Sequence, residues 1–287
     1  MVPPVLTSAQ QLLSRYDVLL CDVWGVLHDG HAAYAGANDT LTRFRASGGT
    51  VILVSNAPMP SDVVATVCDE KGVVRSAWDA IVSSGDIALE HIKQNNYRSV
   101  YGIGPRPRDN AFFDRLPGTA SALDKADAIA CTGLVNDRTE TPQDYRAMLV
   151  EAHARKLPFI CANPDLAVHV GHDLLACAGA IAALYEDMGG DVFWAGKPHQ
   201  SAYMAGLSAA EKIRGKQINK TRVLGIGDAV RTDIAAAKNA GVDALLIAQG
   251  LHRDEIMRDG QVDAAAAQKL LRDAGMPAVA IMAGLSW

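Results

Sequence analysis

The stretch Val18-Leu-Leu-Cys-Asp22-Val-Trp-Gly-Val-Leu-His-Asp-Gly30 decides how this chain is read. Val18–Cys21 is a short run, apolar at every position, as a strand buried on both faces must be. It stops on a carboxylate, Asp22. Similar short, largely apolar runs, often β-branched, recur at Thr50–Val54, Ser99–Ile103, Ala128–Cys131, Phe159–Ala162, Val192–Trp194, Arg222–Ile226 and Ala244–Ile247. Amphipathic segments between these runs predict helices near 37–47, 61–71, 85–95, 142–156, 174–188, 199–213, 232–240 and 263–274. Strands that alternate with helices form parallel βαβ units, so the expected class is α/β with a Rossmann-like parallel sheet.

In an open parallel sheet, ligands bind beyond the carboxyl ends of the strands. The residues just beyond each strand therefore carry the functional argument. Asp22 follows the first run, Ser55 and Asn56 follow Val54, and Gly196-Lys197-Pro198 come shortly after Trp194. Gly227 and Asp228 follow Ile226, with Asp233 five residues on. A carboxylate can attack phosphorus and form an acyl phosphate. A hydroxyl, backbone amides and an ammonium can hold the oxygens of a transferring phosphoryl group. Several acidic oxygens suit Mg²⁺, a hard cation. Each residue alone has an ordinary explanation: Asp in a turn, Ser-Asn as a helix cap, Lys as a solvated side chain, Asp at a helix start. Only the joint pattern rises above these.

The chain has 287 residues, enough for one large or two ordinary domains. The residues with catalytic character lie before 60 and after 195. The stretch between has its own strand–helix alternation. The expected organisation is a core of 1–96 and 194–287 with an inserted domain of 97–193. A formal charge of -5 and a pI near 5.9 argue against nucleic acid or an anionic membrane as the main partner. No apolar run approaches the roughly 20 residues of a membrane-spanning helix. Met1–Ser8 lacks a signal-peptide pattern. Five scattered cysteines with no CxxC pair fit reduced thiols, and the expected location is cytoplasmic. His169 and His172 flank Gly171 and read as loop histidines, because no further metal ligand is evident.

The order Asp-x-x-Gly-Val-Leu, strand-Ser-Asn, Gly-Lys-Pro and Gly-Asp-x-x-x-Thr-Asp-Ile resembles the haloacid dehalogenase superfamily. More narrowly it is similar to subfamily IIA, the NagD-like branch, with a C2-type α/β cap inserted between the second and third motifs. Asn163-Pro164-Asp165 and the Gly179-Ala-Ile-Ala-Ala segment resemble that cap. The resemblance runs from Tyr16 to about His252. It implies a phosphatase acting on a small phosphorylated metabolite, such as a sugar phosphate, through an aspartyl-phosphate intermediate. Asp22 would be the nucleophile, and Lys197 would neutralise both the phosphate and Asp22. Ser55, Asn56 and Lys197 would bind the phosphoryl group. Asp22, the backbone carbonyl of Trp24, Asp228 and Asp233 would hold Mg²⁺. The insert would close over the site as a cap, and the protein could form a homo-oligomer.

One position departs from the pattern. Family phosphatases usually carry a second Asp two residues after the nucleophile, as general acid and base, and here that residue is Trp24. General acid–base catalysis contributes about 10²–10⁴-fold. The implied enzyme is therefore slow, acts on a good leaving group, or uses a substitute, for which His28 and Asp29 are nearest in sequence. Two other functions stay open: carbon–halogen cleavage as in 2-haloacid dehalogenases, and binding of a phosphorylated ligand without turnover.

Overall fold

The computed structural model describes residues 2–170 and 173–287, so His172 lies outside it, while the backbone of His169 belongs to a strand and not a loop. The backbone contacts divide the chain into two units. One comprises 1–55, 64–82 and 197–287, and the other comprises 56–63 and 83–196. Strands β1 (Val5–Leu6), β2 (Val18–Cys21), β3 (Thr50–Ser55) and β4 (Ala80–Ser83) come first. Next come β5 (Ser99–Ile103), β6 (Thr119–Ala120), β7 (Ala128–Cys131), β8 (Phe159–Cys161), β9 (Ala167–Val170), β10 (Asp173–Ala176) and β11 (Val192–Trp194). The chain ends with β12 (Val223–Gly227), β13 (Asp243–Ile247), β14 (Met257–Arg258), β15 (Gln261–Val262) and β16 (Ala280–Met282).

The first unit is built on a seven-stranded sheet of order β1-β16-β13-β12-β2-β3-β4. Its described registers are parallel, with Leu20 opposite Ile52 on one side and Gly225 on the other. From β2 the chain moves outward through β3 and β4. It returns to β12 on the other side of β2 and moves outward again through β13 and β16. The reversal between β2 and β12 is the topological switch point, where a crevice opens at the strands' carboxyl ends. All four residues of β2 are fully buried, as are Val51, Ile52 and Leu53 of β3. Burying such a side chain is worth about 1.5–3 kcal/mol. The helix Gln200–Arg214 approaches this sheet closely through Gly206, where a Cβ would lie 3.0 Å from Leu20 Cδ2.

The second unit carries a parallel sheet of order β11-β8-β7-β5-β6 and an antiparallel hairpin of β9 and β10. One core cluster includes Ile129, Phe159, Ile181 and Tyr185. Another joins Ala88 and Ile92 of the helix Ser84–Gln94 to Val100, Phe112 and Ile160. The sequence draws the insert at 97–193. The contacts add 83–96 and 194–196, because the apolar face of the helix Ser84–Gln94 and Ala195 belong to this second cluster. They add 56–63 as well, through Ser61 N–H to Asp86 (3.0 Å), Gly85 N–H to Ala57 O (3.2 Å) and Arg115 to Asp62 (2.6 and 2.8 Å). Among the described residues no helix is long and apolar enough to cross a membrane.

One helix begins later than expected. Residues 174–176 belong to β10, paired with β9, and the helix spans Ala178–Asp187. Leu and Ala favour helices, but pairing across a hairpin overrides that weak preference. Gly179 in the first turn of this helix meets the Asn163-Pro164-Asp165 loop. A Cβ there would lie 2.4 Å from Pro164 O and 2.5 Å from Asp165 O. Alanine normally stabilises a helix interior by about 1 kcal/mol relative to glycine. Here the sign reverses: Gly179→Ala is expected to destabilise by about 1–3 kcal/mol, as overpacking against a backbone does. Thermal unfolding measures this, and an unchanged or raised midpoint would contradict the packing described.

Candidate active site

The sheet ladder places the first carboxylate. Asp22 N–H donates to Ile226 O at 2.8 Å, so the pairing of β2 with β12 continues one residue beyond β2. That holds Asp22 level with the end of β12, beside Gly227 and Asp228. Asp233 comes from a wide π-helical turn, Val230–Ile234, immediately after β12. Such turns often mark functional sites. Asp22, Asp228 and Asp233 each offer an oxygen, and the three lie within 4.8 Å of one another. Lys197, the residue on which the chain returns to the first unit, places Nζ 2.6 Å from Asp22 Oδ1 and 2.7 Å from Asp233 Oδ1. Its side chain is only 3% exposed.

Backbone groups hold the rest of the cluster. Asp228 accepts from Leu251 N–H at 2.7 Å, and Asp233 Oδ2 accepts from Ala229 N–H at 3.1 Å. Three glycines let the chain approach this closely. A Cβ on Gly25 would fall 2.1 Å from Asp228 Oδ2, one on Gly250 2.0 Å from the same atom, and one on Gly227 2.1 Å from Asp233 Cγ. Gly25 also has a φ of +81°, which side-chain-bearing residues rarely adopt.

The charges do not balance. Three carboxylates share one ammonium, which leaves two negative charges without a partner inside the cluster. Burial, then the charge of Asp233, raises the Asp22 carboxyl well above the usual carboxylate range. Burial and Asp233 push Asp228 up to about 7. Burial works against the Lys197 ammonium, but Asp22 and Asp233 outweigh it and raise its pKa. A divalent cation would remove the imbalance, and the donor set of carboxylate oxygens suits Mg²⁺. The turn that carries Trp24, two residues beyond Asp22, is closed by His28 N–H to Val23 O (3.4 Å) and Gly25 N–H to His28 O (2.8 Å).

Ser55 ends β3, on the strand beside β2 and at the same sheet edge. Asn56 groups with the second unit, where its Nδ2 donates to Asp165 Oδ1 at 2.9 Å and its Oδ1 accepts from Ser84 at 3.5 Å. Asp29 forms a turn, accepting from His31 N–H (2.8 Å) and Ala32 N–H (2.9 Å), and these bonds hold its carboxyl below the usual range. His28 is buried, its Nδ1 accepts from Gly30 N–H at 3.1 Å, and burial lowers its pKa, so the ring is neutral at pH 7. Gly250 and Leu251 had no place among the expected site residues. Both lie just beyond the carboxyl end of β13, the kind of position that singled out Asp22 and Asp228, and that rule applied to β13 would have found them.

Topology and site together define a Rossmann-like α/β core with a buried acid–lysine cluster at its switch point. A family model for haloacid dehalogenase-like hydrolases matches residues 19–115, and a second, HAD-hydrolase-like, matches 194–282. A solved haloacid dehalogenase-like hydrolase from Brucella suis 1330 is 41% identical, covering 97% of this chain and 98% of that one, with a TM-score of 0.83. Phosphoglycolate phosphatase 2 of Arabidopsis thaliana is 27% identical over 285 residues, which is 90% of this chain and 92% of that protein. Ribonucleotide monophosphatase NagD of Escherichia coli K12 is 23% identical over 81% of this chain and 88% of its own length. A structure of NagD from the same strain overlays with a TM-score of 0.68 at 20% identity, covering 94% and 97%. This chain belongs to the haloacid dehalogenase-like hydrolase family.

The raised carboxyls have a consequence for stability. A folded-state pKa above the unfolded value means that the folded protein holds protons the unfolded chain has already released. Stability is then fully present below the ordinary carboxylate value near 4 and is lost as pH rises towards about 7. In metal-free protein, thermal unfolding between pH 5 and 7.5 should show this loss, and Asp228→Asn should reduce it. A profile that is flat, or identical in the variant, would contradict the charge imbalance.

Proposed function

We propose that this hydrolase is a Mg²⁺-dependent phosphatase acting on a small phosphorylated metabolite. The observation that carries the reading is the Lys197 ammonium bridging Asp22 and Asp233, with Asp228 beside them, at the carboxyl ends of β2 and β12. Two of the relatives are named as phosphatases of different phosphate esters, which supports the reaction class and leaves the leaving group open.

Asp22 is the nucleophile. One carboxylate oxygen attacks phosphorus, the bond to the leaving oxygen breaks, and an acyl phosphate forms on Asp22. Water then attacks this phosphorus, which releases inorganic phosphate and restores the carboxylate. Lys197 offsets charge on the equatorial oxygens, and the Ser55 hydroxyl, with the Asn56 backbone N–H beside it, binds the same group. A Mg²⁺ ion held by Asp22, Asp228, Asp233 and the Trp24 carbonyl would supply the positive charge that lets an anionic nucleophile approach an anionic ester. Asp29 is tied into its turn and His28 is neutral, so neither supplies a ready proton to the leaving oxygen. Carbon–halogen cleavage fits less well, because Lys197 already pairs with Asp22 and Asp233, and Asp228 would then be a further buried carboxylate with no role.

Hydrolysis of p-nitrophenyl phosphate tests the reading, since its leaving group departs without a general acid. With Mg²⁺ the protein should turn it over. EDTA or Asp22→Asn should each lower kcat roughly a thousand-fold or more, as removal of a nucleophile does. Halide release from a 2-haloacid that persists in EDTA, without phosphate release, would establish the dehalogenase reading instead.

A further inference from the structure

Trp24 is the one side chain of the loop from Val23 to His28 that projects into solvent. It is 49% exposed, whereas Val23, Val26, Leu27 and His28 are buried. An exposed indole is usually mobile, and ordering it on binding costs free energy. This one is packed against its own turn. Gly30 has no Cβ and a φ of +88°, and the ring lies directly on it, since a Cβ there would fall 2.4 Å from Trp24 Cη2. The His28 ring meets the indole edge at 5.4 Å and 78°. A backbone bridge between Trp24 and His28 closes the turn. The indole is therefore clamped on one side and open on the other, two residues beyond Asp22. Its neighbour Gly25 packs directly against Asp228.

We propose that the Trp24 indole is the leaving-group platform of this site, so that the preferred substrate is an aryl or enol phosphate, whose leaving oxygen sits on a planar carbon. The inference rests on the phosphatase reading and names its substrate class. Two independent features agree on it. A planar leaving group gains a stacking face on a fixed indole, and base–aromatic stacking is worth about 1–3 kcal/mol. The same class needs no proton donor. A phenol ionises near 10, as Tyr does, against about 15.7 for water and comparable alcohols. The loop offers no carboxylic acid poised for this role: Asp29 accepts two backbone N–H groups, and buried His28, with Nδ1 accepting from Gly30, is a neutral imidazole, a very weak acid. In the reaction the bond from phosphorus to the aryl oxygen breaks, and its electron pair leaves with the phenolate. Asp22 gains the phosphoryl group, and water later removes it.

Calorimetric binding of two non-hydrolysable probes, phenylphosphonate and methylphosphonate, in Mg²⁺ tests the platform apart from turnover. Wild-type protein should prefer phenylphosphonate by roughly tenfold, the lower part of the stacking range. Trp24→Phe, which keeps a ring, should retain most of this preference. Trp24→Leu, which is apolar but not planar, should lose it, and Trp24→Ala should behave likewise. The ratio of kcat/KM for phenyl phosphate over glycerol phosphate should fall in the same order. Equal affinities in the wild type, or a preference that survives in both Trp24→Leu and Trp24→Ala, would overturn the proposal. A preference that depends on Trp24 but accompanies no Asp22-dependent hydrolysis would support the platform and overturn the phosphatase reading. Hydrolysis without any preference would do the reverse.

Discussion

Three carboxylates held within 4.8 Å of one another around a single buried ammonium form the constraint on which the site depends. Like charges in a poorly solvated place repel, and each carboxylate has also given up its hydration. The fold holds them there through backbone geometry. Asp22 is pinned by a ladder hydrogen bond, Asp228 by Leu251 N–H and Asp233 by Ala229 N–H. Close approach is possible because Gly25, Gly227 and Gly250 present no Cβ to these side chains. The arrangement is costly for an apo protein and favourable for one that recruits a cation. The imbalance is thus best understood as a binding potential, not as a contribution to folding.

The sheet explains why these residues meet although they lie far apart in sequence. Asp22 and Lys197 are 175 residues apart, and the second unit lies between them. In a parallel sheet every strand delivers its carboxyl end to the same edge. The switch between β2 and β12 makes neighbours of the strands that bear Asp22 and Asp228. An insertion of any length after β4 leaves that adjacency intact, provided the chain re-enters the same edge at Lys197.

Much of this was legible in the sequence, for a physical reason. A strand buried on both faces can tolerate few polar atoms, so β2, β3, β7 and β12 stand out as apolar runs, and the residues at their ends identify themselves. The weakly periodic pieces were not legible. β1 has two residues and β16 three, too few for a pattern, and both lie at or near the edge of the sheet. β10 is written in helix-favouring residues and becomes a strand only through its pairing with β9. The Asn56 contact with Asp165 spans 109 residues, and nothing local announces it. Gly250 is similar: a glycine after a strand reads as a turn until the carboxylate against it is known.

The loop 22–30 separates two demands that the sequence alone runs together. Its backbone serves the acid cluster: Gly25 must be a glycine, and the turn must close through its hydrogen bonds. The Trp24 side chain plays no part in those bonds. It rests on Gly30 and His28 and faces outward. A residue whose backbone is fixed by one requirement and whose side chain is not can change its chemistry without disturbing the acid cluster. In the proposed phosphatase the indole at this position leaves departure to the leaving group itself, and the substrates that can leave unaided are those whose leaving oxygen is already a weak base.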